Sequence, residues 1–221
     1  MRHYRTAADL PRRAPVFPLR GAILLPRAQL PLNVFEPRYL QMLDDVLAGA
    51  RILAIVQPSG VGEESPAEKT ADLRAVGCIG RITAFQEHED GRLAITLTGI
   101  ARCRLAEEIE TTTPYRLFNV GYESFADDLT PGAGEAEIGR ERLIEGLRRY
   151  LAARKLEANW SEINKMSNEA LVNSLSMMSP YGAEEKQALL EAPNLKNRAE
   201  VLLALAEMEL AAGSGGSRSL Q

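Results

Sequence analysis

Residues 75–110 read AVGCIGRITAFQEHEDGRLAITLTGIARCRLAEEIE, and the fold turns on how this stretch is divided. Leu93, Ile95 and Leu97 alternate with Ala94, Thr96 and Thr98, the period of a strand with one buried face. Asp90-Gly91 supplies the positive φ that a tight hairpin needs. The stretch therefore reads as strand, turn, strand, then a bend marked by Gly99 and a further strand. Gly77 and Gly80 fall in mid-strand, where glycine relieves crowding between backbones and does not cradle a nucleotide.

Working outward, the same β texture runs from Val16 to about Tyr122. RILAIVQ (51–57) is a short buried strand and YRLFNVGY (115–122) another. APVFPL (14–19) and QLPLNVF (29–35) carry prolines, which predicts an edge or irregular strand for the first and an edge position for the second. After Glu36 the period changes. Pro37 suits the first turn of a helix, and Tyr39, Leu40, Met42, Leu43, Val46 and Leu47 follow at helical spacing up to Gly49. Phe35 and Tyr39 are expected to pack this helix against the strands. Six or seven strands around one helix predict a small closed or nearly closed barrel. The polar stretch PSGVGEESPAEKTADLRA (58–75) is a surface loop of the mobile kind.

ESFADDLTPGAGEAEIG (123–139) is acidic and breaks the pattern, and beyond it the periodicity is helical. Leu143, Ile144, Leu147, Tyr150 and Leu151 form one stripe. Ser167 caps a helix carrying Leu171, Val172 and Leu175, and Ser179-Pro180 opens another with Leu189 and Leu190 inward. Asn194 caps the last, whose buried side holds Leu195, Ala199, Leu202, Leu203, Ala206 and Leu210. The Gly/Ser-rich end reads as disordered.

Composition narrows the chemistry. The chain has 221 residues, 45% hydrophobic, with net charge −4 and a pI of about 5.4. That balance offers no general attraction to phosphate backbones. No apolar run approaches the roughly 20 residues of a membrane span, and no signal-peptide pattern follows the N-terminus, which predicts a soluble, cytoplasmic protein. Cys78 and Cys103 lie in strands, as small buried hydrophobes first and as a disulfide or reactive thiol second. His3 and His88 stand apart, and no metal-ligand spacing occurs. There is no GxxxxGK[ST] loop and no GxSxG elbow. The paired carboxylates, Asp127-Asp128 among them, read as solvated faces or loops and not as tuned acid/base pairs. Arg148, Arg149 and Arg154 form a basic cluster, as a solvated face or as a contact for phosphate or an acidic partner. No catalytic residue, metal or cofactor is expected.

Three segments carry a family likeness. VFPLRGAILLPRAQLPLNVFEPRYLQML (16–43) resembles the opening of the Lon protease amino-terminal domain, with its two "PL" strands and following helix. VGCIGRITAFQEHEDGRLAITLTGIARCRL (76–105) is similar to that domain's second signature. NWSEINKMSNEALVNSLSMMSPYGAEEKQALLEA (159–192) resembles its helical portion. The likeness covers residues 14–211. It implies an α+β fold: a PUA-like β-barrel over 14–124, an acidic connector over 125–138, a helical bundle over 139–211 and a disordered tail over 212–221.

Full Lon proteases continue into an ATPase module and a protease domain with a Ser–Lys dyad, and this sequence ends at Gln221. The resemblance therefore implies a stand-alone bacterial substrate-binding-domain protein. Its partners would be unfolded or partner protein segments, with no nucleotide and no membrane, and a peptidase label would be inherited. RNA binding through the barrel is an alternative weakened by the acidic pI; an enzyme with an unrecognised site is another. A cleft between barrel and bundle is the expected binding place. Met177, Met178 and Tyr181 would contact the partner there, with Glu36 and Arg38 on the polar rim and Tyr39 a further candidate contact. The alternative for the two methionines is core filling.

Overall fold

The hairpin of residues 75–110 is the spine of a six-stranded sheet. In the computed structural model, which describes residues 4–60 and 72–215, β4 (Val76–Glu87) pairs antiparallel with β5 (Leu93–Ile109). The turn between them places Gly91 at φ +81, the conformation the Asp-Gly pair predicts. β1 is Arg13–Pro18, β2 Gln29–Val34, β3 Ile52–Val56 and β6 Arg116–Gly121. The sheet order is β2-β5-β4-β3-β1-β6, and β5 also pairs with β6. Hydrogen bonding thus runs in a circuit through β5, β4, β3, β1, β6 and back to β5.

Two expectations for this sheet change. β5 is one continuous strand, with no break at Gly99. The pairing slips between Ile79/Ala101 and Gly80/Gly99, so Ile100 is the extra residue of a β-bulge that bends the strand without ending it. Nor is β1 an edge. It pairs with β6 over Arg13–Val16 and with β3 over Val16–Pro18. Only Val16 has partners on both sides, so Pro15 and Pro18 each sit where one neighbour is absent and a missing N–H costs nothing. β2 pairs with β5 alone, as its proline predicts.

Alternation distributes the core. Val16, Ile52, Ala54, Val56, Ile79, Cys103, Phe118 and Val120 cluster on one face of the sheet. β3 is buried at every position, so Leu53 and Ile55 fill the other face, as does Phe17 beside Ile55. Helix α1 (Pro37–Ala48) buries Tyr39, Met42, Leu43 and Val46. Tyr39 meets Phe17 with ring centroids 4.3 Å apart, which lays the helix on that face. Phe35 departs from expectation: it is 66% exposed, because the chain leaves β2 at Val34 before the helix begins.

The chain forms two compact units. The first comprises Met1–Pro131 and Tyr181–Leu190, the second Gly132–Pro180 and Glu191–Gln221. Helix α5 (Ala183–Glu191) therefore contributes most of its length to the first unit. It starts three residues after Pro180, because Ser179 and the residues after it remain non-helical. Inside the first unit, the buried Gln57 accepts from Gly21 N and donates to Ala183 O and Gln187 Oε1. Gln187 in turn donates to Val76 O.

A second network corrects the reading of Asp127-Asp128. Asp128 is buried, and both its oxygens accept from the Arg102 guanidinium at 2.8 and 2.9 Å. The Arg102 amide donates to it as well, its guanidinium donates to Leu190 O, and the Phe125 ring lies 4.5 Å away.

The second unit holds α2 (Arg140–Ala153), α3 (Trp160–Lys165), α4 (Asn168–Met178) and α6 (Leu195–Gly215). The Ser167 side chain accepts from Ala170 N and the Asn194 side chain from Asn197 N, the two caps expected. Helix α3 has no counterpart in the sequence reading; Asn159 caps it through Glu162 N. α6 continues past residue 212, and 216–221 lie outside the described residues, as do 61–71 of the polar stretch and His3. Among the described residues no helix is long and apolar enough to cross a membrane.

Candidate functional site

Chemistry-bearing side chains in this protein are mostly engaged with one another. Cys78 and Cys103 are buried free thiols, and burial pushes the Cys103 thiol up to about 12, so it is neither nucleophile nor ligand near neutral pH. Lys186 is buried and desolvation lowers its pKa. His88 lies exposed in the β4–β5 turn. Among the described residues no three His, Cys, Asp or Glu side chains converge as a metal site.

A cleft of about 670 Å³ is lined by residues that include Glu108, Ile109, Thr111, Thr113, Tyr115 and Arg116. Its groups are matched internally: Arg116 donates to both Glu108 oxygens at 2.8 and 2.6 Å, which lowers the Glu108 pKa. Tyr115 donates to Asp45 Oδ2 at 2.7 Å. Burial, with the Asp45 carboxylate second, pushes that phenol up to about 12. Neither Glu108 nor Tyr115 is poised to exchange a proton at neutral pH.

The residues expected to bind fall in both units. Glu36 immediately precedes α1, without a side-chain capping bond, and accepts from Arg38 Nε at 3.0 Å. The Arg38 guanidinium lies 4.5 Å over the Tyr39 ring. Tyr39 is buried against Phe17, so it supports Arg38 from beneath. Tyr181 is buried in the first unit. Met177 and Met178 end α4 in the second. Met178 is 82% exposed and Met177 half-buried, so core filling does not account for Met178. The three arginines of the basic cluster each have a neighbour: Arg148 lies 4.6 Å over Trp160, Arg149 approaches Glu207 at 3.8 Å, and Arg154 reaches Glu209 at 2.7 Å.

Sequence reasoning missed the far end of the β4–β5 hairpin. From Thr83 to Glu87 every β4 residue is exposed although the strand stays paired. Phe85 is 52% exposed and borders a groove of about 400 Å³ together with Pro31, Asn33, Ala84, Ala94 and Thr96. Pro31, Thr96 and Ala84 form one cross-strand row, and Asn33, Ala94 and Gln86 the next. The signal was present: Phe85 is the one large apolar residue between Ile82 and Leu93, too little for a strand buried on either face.

Comparison with known proteins agrees with the fold. The Lon N-terminal domain protein from Xanthomonas campestris superimposes with a TM-score of 0.58 at 23% identity, over 87% of this chain and 97% of that one. The N-terminal domain of Mycobacterium avium complex Lon protease gives 0.60 at 18%, over 88% and 98%. In sequence, the Lon protease of Flavobacterium johnsoniae is 25% identical over 91% of this chain, and Lon protease 2 of Thermus thermophilus 26% identical over 91%. The chain spans 25% of the length of each of these two relatives. The family model for the ATP-dependent protease La (LON) substrate-binding domain matches residues 13–207. With nearly the whole chain inside that match, the protein belongs to the LON substrate-binding domain family.

Proposed function

We propose that this chain is a non-catalytic protein-binding module that takes up unfolded or partner protein segments in the cytoplasm, working without nucleotide, metal or cofactor. The observation that carries the reading is the match of residues 13–207 to a substrate-binding domain, with no part of the match in an ATPase or protease module. The hydrogen-bond circuit through five strands supports a small PUA-like barrel, and the C-terminal helices support a helical bundle. The charge balance of −4, with the arginine cluster spent on Trp160, Glu207 and Glu209, favours protein over nucleic acid. Glu36 and Arg38 in the first unit, with Tyr39 beneath Arg38, and Met177 and Met178 in the second act as contact residues; Tyr181 is buried in the first unit.

The test compares native lysozyme with reduced, carboxamidomethylated lysozyme on the immobilised chain. The two carry the same charges and differ in folding. Retention of the unfolded form alone supports the reading. Equal retention of both, or of neither, overturns it, and tight salt-sensitive retention of polyuridylate would move the assignment to RNA. The chain should hydrolyse no ATP and cleave no casein.

A further inference from the structure

We infer that the groove beside Phe85 docks an extended polypeptide segment in which an apolar side chain is flanked by lysine or arginine. The inference rests on the protein-binding reading above and gives it a place and a specificity.

Four features of the first unit converge. The groove has the volume of a small-ligand site, about 400 Å³, and among its lining residues Leu32, Ile95 and Phe85 form one cross-strand row, on the opposite face of the sheet from Ala84, Ala94 and Thr96. The half-buried Leu32 and the half-exposed Phe85 flank the buried Ile95, so this row leaves apolar surface open to an incoming residue. Phe85, half-exposed at its border, offers a large rigid apolar face of the kind that anchors interfaces. Phe35, more exposed still, follows Val34 in the row shared with Leu93 and Glu87, so a second aromatic stands at the same end of the sheet.

Charge selects the occupant. Glu87, Glu89 and Asp90 surround the turn that closes this end, and all are exposed. Arg92 is bound to Asp90, Nε to Oδ2 at 2.7 Å, while Glu87 and Glu89 have no ion-pair partner among the described residues. The Arg38 charge is taken by Glu36. The rim is therefore negative, and a positive flank on the ligand complements it.

Backbone geometry excludes a second copy of this chain as an added strand. Gly99 N donates to Ala28 O, and the register then runs unbroken from Gln29–Thr98 to Val34–Leu93. By antiparallel alternation, Leu30, Leu32 and Val34 bond to β5, and Gln29, Pro31 and Asn33 face the open edge. Pro31 has no N–H to offer there, which blocks edge-to-edge pairing at its centre. Two copies would also bring two acidic turns together. The occupant lies on the groove and does not extend the sheet.

The test uses fluorescence anisotropy near pH 7 with short dye-labelled peptides sharing one Leu-Phe core, flanked by lysines in one and glutamates in the other. The whole chain should bind the lysine peptide about tenfold more tightly, and Phe85→Ser should weaken it about thirtyfold. Glu87→Lys with Glu89→Lys should reverse the preference. Both variants change exposed residues, so their melting curves should match the parent. Equal binding of the two peptides, or binding of the lysine peptide unchanged by Phe85→Ser, overturns the inference. If unfolded lysozyme is retained while neither peptide binds, the groove is wrong and the protein-binding reading stands. If unfolded lysozyme is not retained either, that reading falls with it.

Discussion

The two ends of the β4–β5 hairpin share one ladder and meet opposite fates. At the base, β4 from Val76 to Ile82 is buried apart from the half-buried Arg81, and β5 opposite it is buried at Ala101, Arg102 and Cys103. At the tip, β4 is exposed from Thr83 to Glu87 while pairing continues to Glu87–Leu93. The β4–β5 pairing runs through both, while β3 flanks β4 only from Cys78 to Arg81. The difference lies in what is packed against the faces. The base approaches neighbouring backbone so closely that Gly99 has the Leu25 carbonyl oxygen 2.0 Å from where a Cβ would stand. Pairing makes a strand; only covering makes it core, and a strand that outruns its cover becomes surface available for recognition.

The sharpest way to break the comparison is at Arg102, the buried cation of the base. Asp128→Ala should cost about 3–5 kcal/mol in urea unfolding, because a guanidinium 3% exposed would lose its carboxylate. Replacing both partners by Leu and Met should recover much of that loss, since two desolvated charges are removed together. A single Asp128→Ala variant as stable as the parent would mean that water reaches the base as freely as the tip.

Gly99→Ala comes next. The added methyl meets backbone, which cannot rotate away, so a loss of about 1–3 kcal/mol in the same assay is expected. Gly91→Ala at the tip meets nothing within 4 Å but strains a φ of +81, and separates backbone strain from crowding.

Alkaline pH probes the base through Cys103. Its folded thiol is raised from 9.0 to about 12 by burial, so it ionises first in the unfolded chain. The stability it contributes is complete below about pH 9 and is lost as pH rises toward 12. At pH 10 the loss is on the order of 1 kcal/mol. Cys103→Ala should flatten that part of the pH profile whatever its effect at neutrality. Buried Tyr122, raised in the same direction, acts at still higher pH.

How much of this was legible follows the same division. The alternation of Leu93, Ile95 and Leu97, the Asp90-Gly91 turn and the caps Ser167 and Asn194 are local signals, and the structure reproduces each. Asp128 was read as solvated because its acidic surroundings in sequence say nothing of Arg102, 26 residues away. For β1 the prolines leave edge and irregular strand both open, because a proline marks only a missing hydrogen bond, and two staggered neighbours leave such gaps inside a sheet. Of the proposed contact residues, Tyr39 and Tyr181 carried the hydropathy of an anchor and proved buried. Phe85 was passed over because nothing in a strand's own sequence tells where its cover ends.

The smallest expected effect is the most direct check on the tip. Reading Phe35 from sequence as a helix anchor predicts a loss of about 3–5 kcal/mol for Phe35→Ala, the cost of emptying a buried aromatic site. At 66% exposure the side chain leaves no cavity behind, and the expected change shrinks to about 0.5 kcal/mol or less. Tyr39→Ala, four residues on and packed against Phe17, should lose the larger amount. Thermal melts of the two variants side by side decide which aromatic fixes α1. A Phe35→Ala variant as damaged as Tyr39→Ala would place Phe35 in the core and remove it from the recognition surface. Unchanged melting with weakened capture of unfolded lysozyme would assign it to that surface beside Phe85.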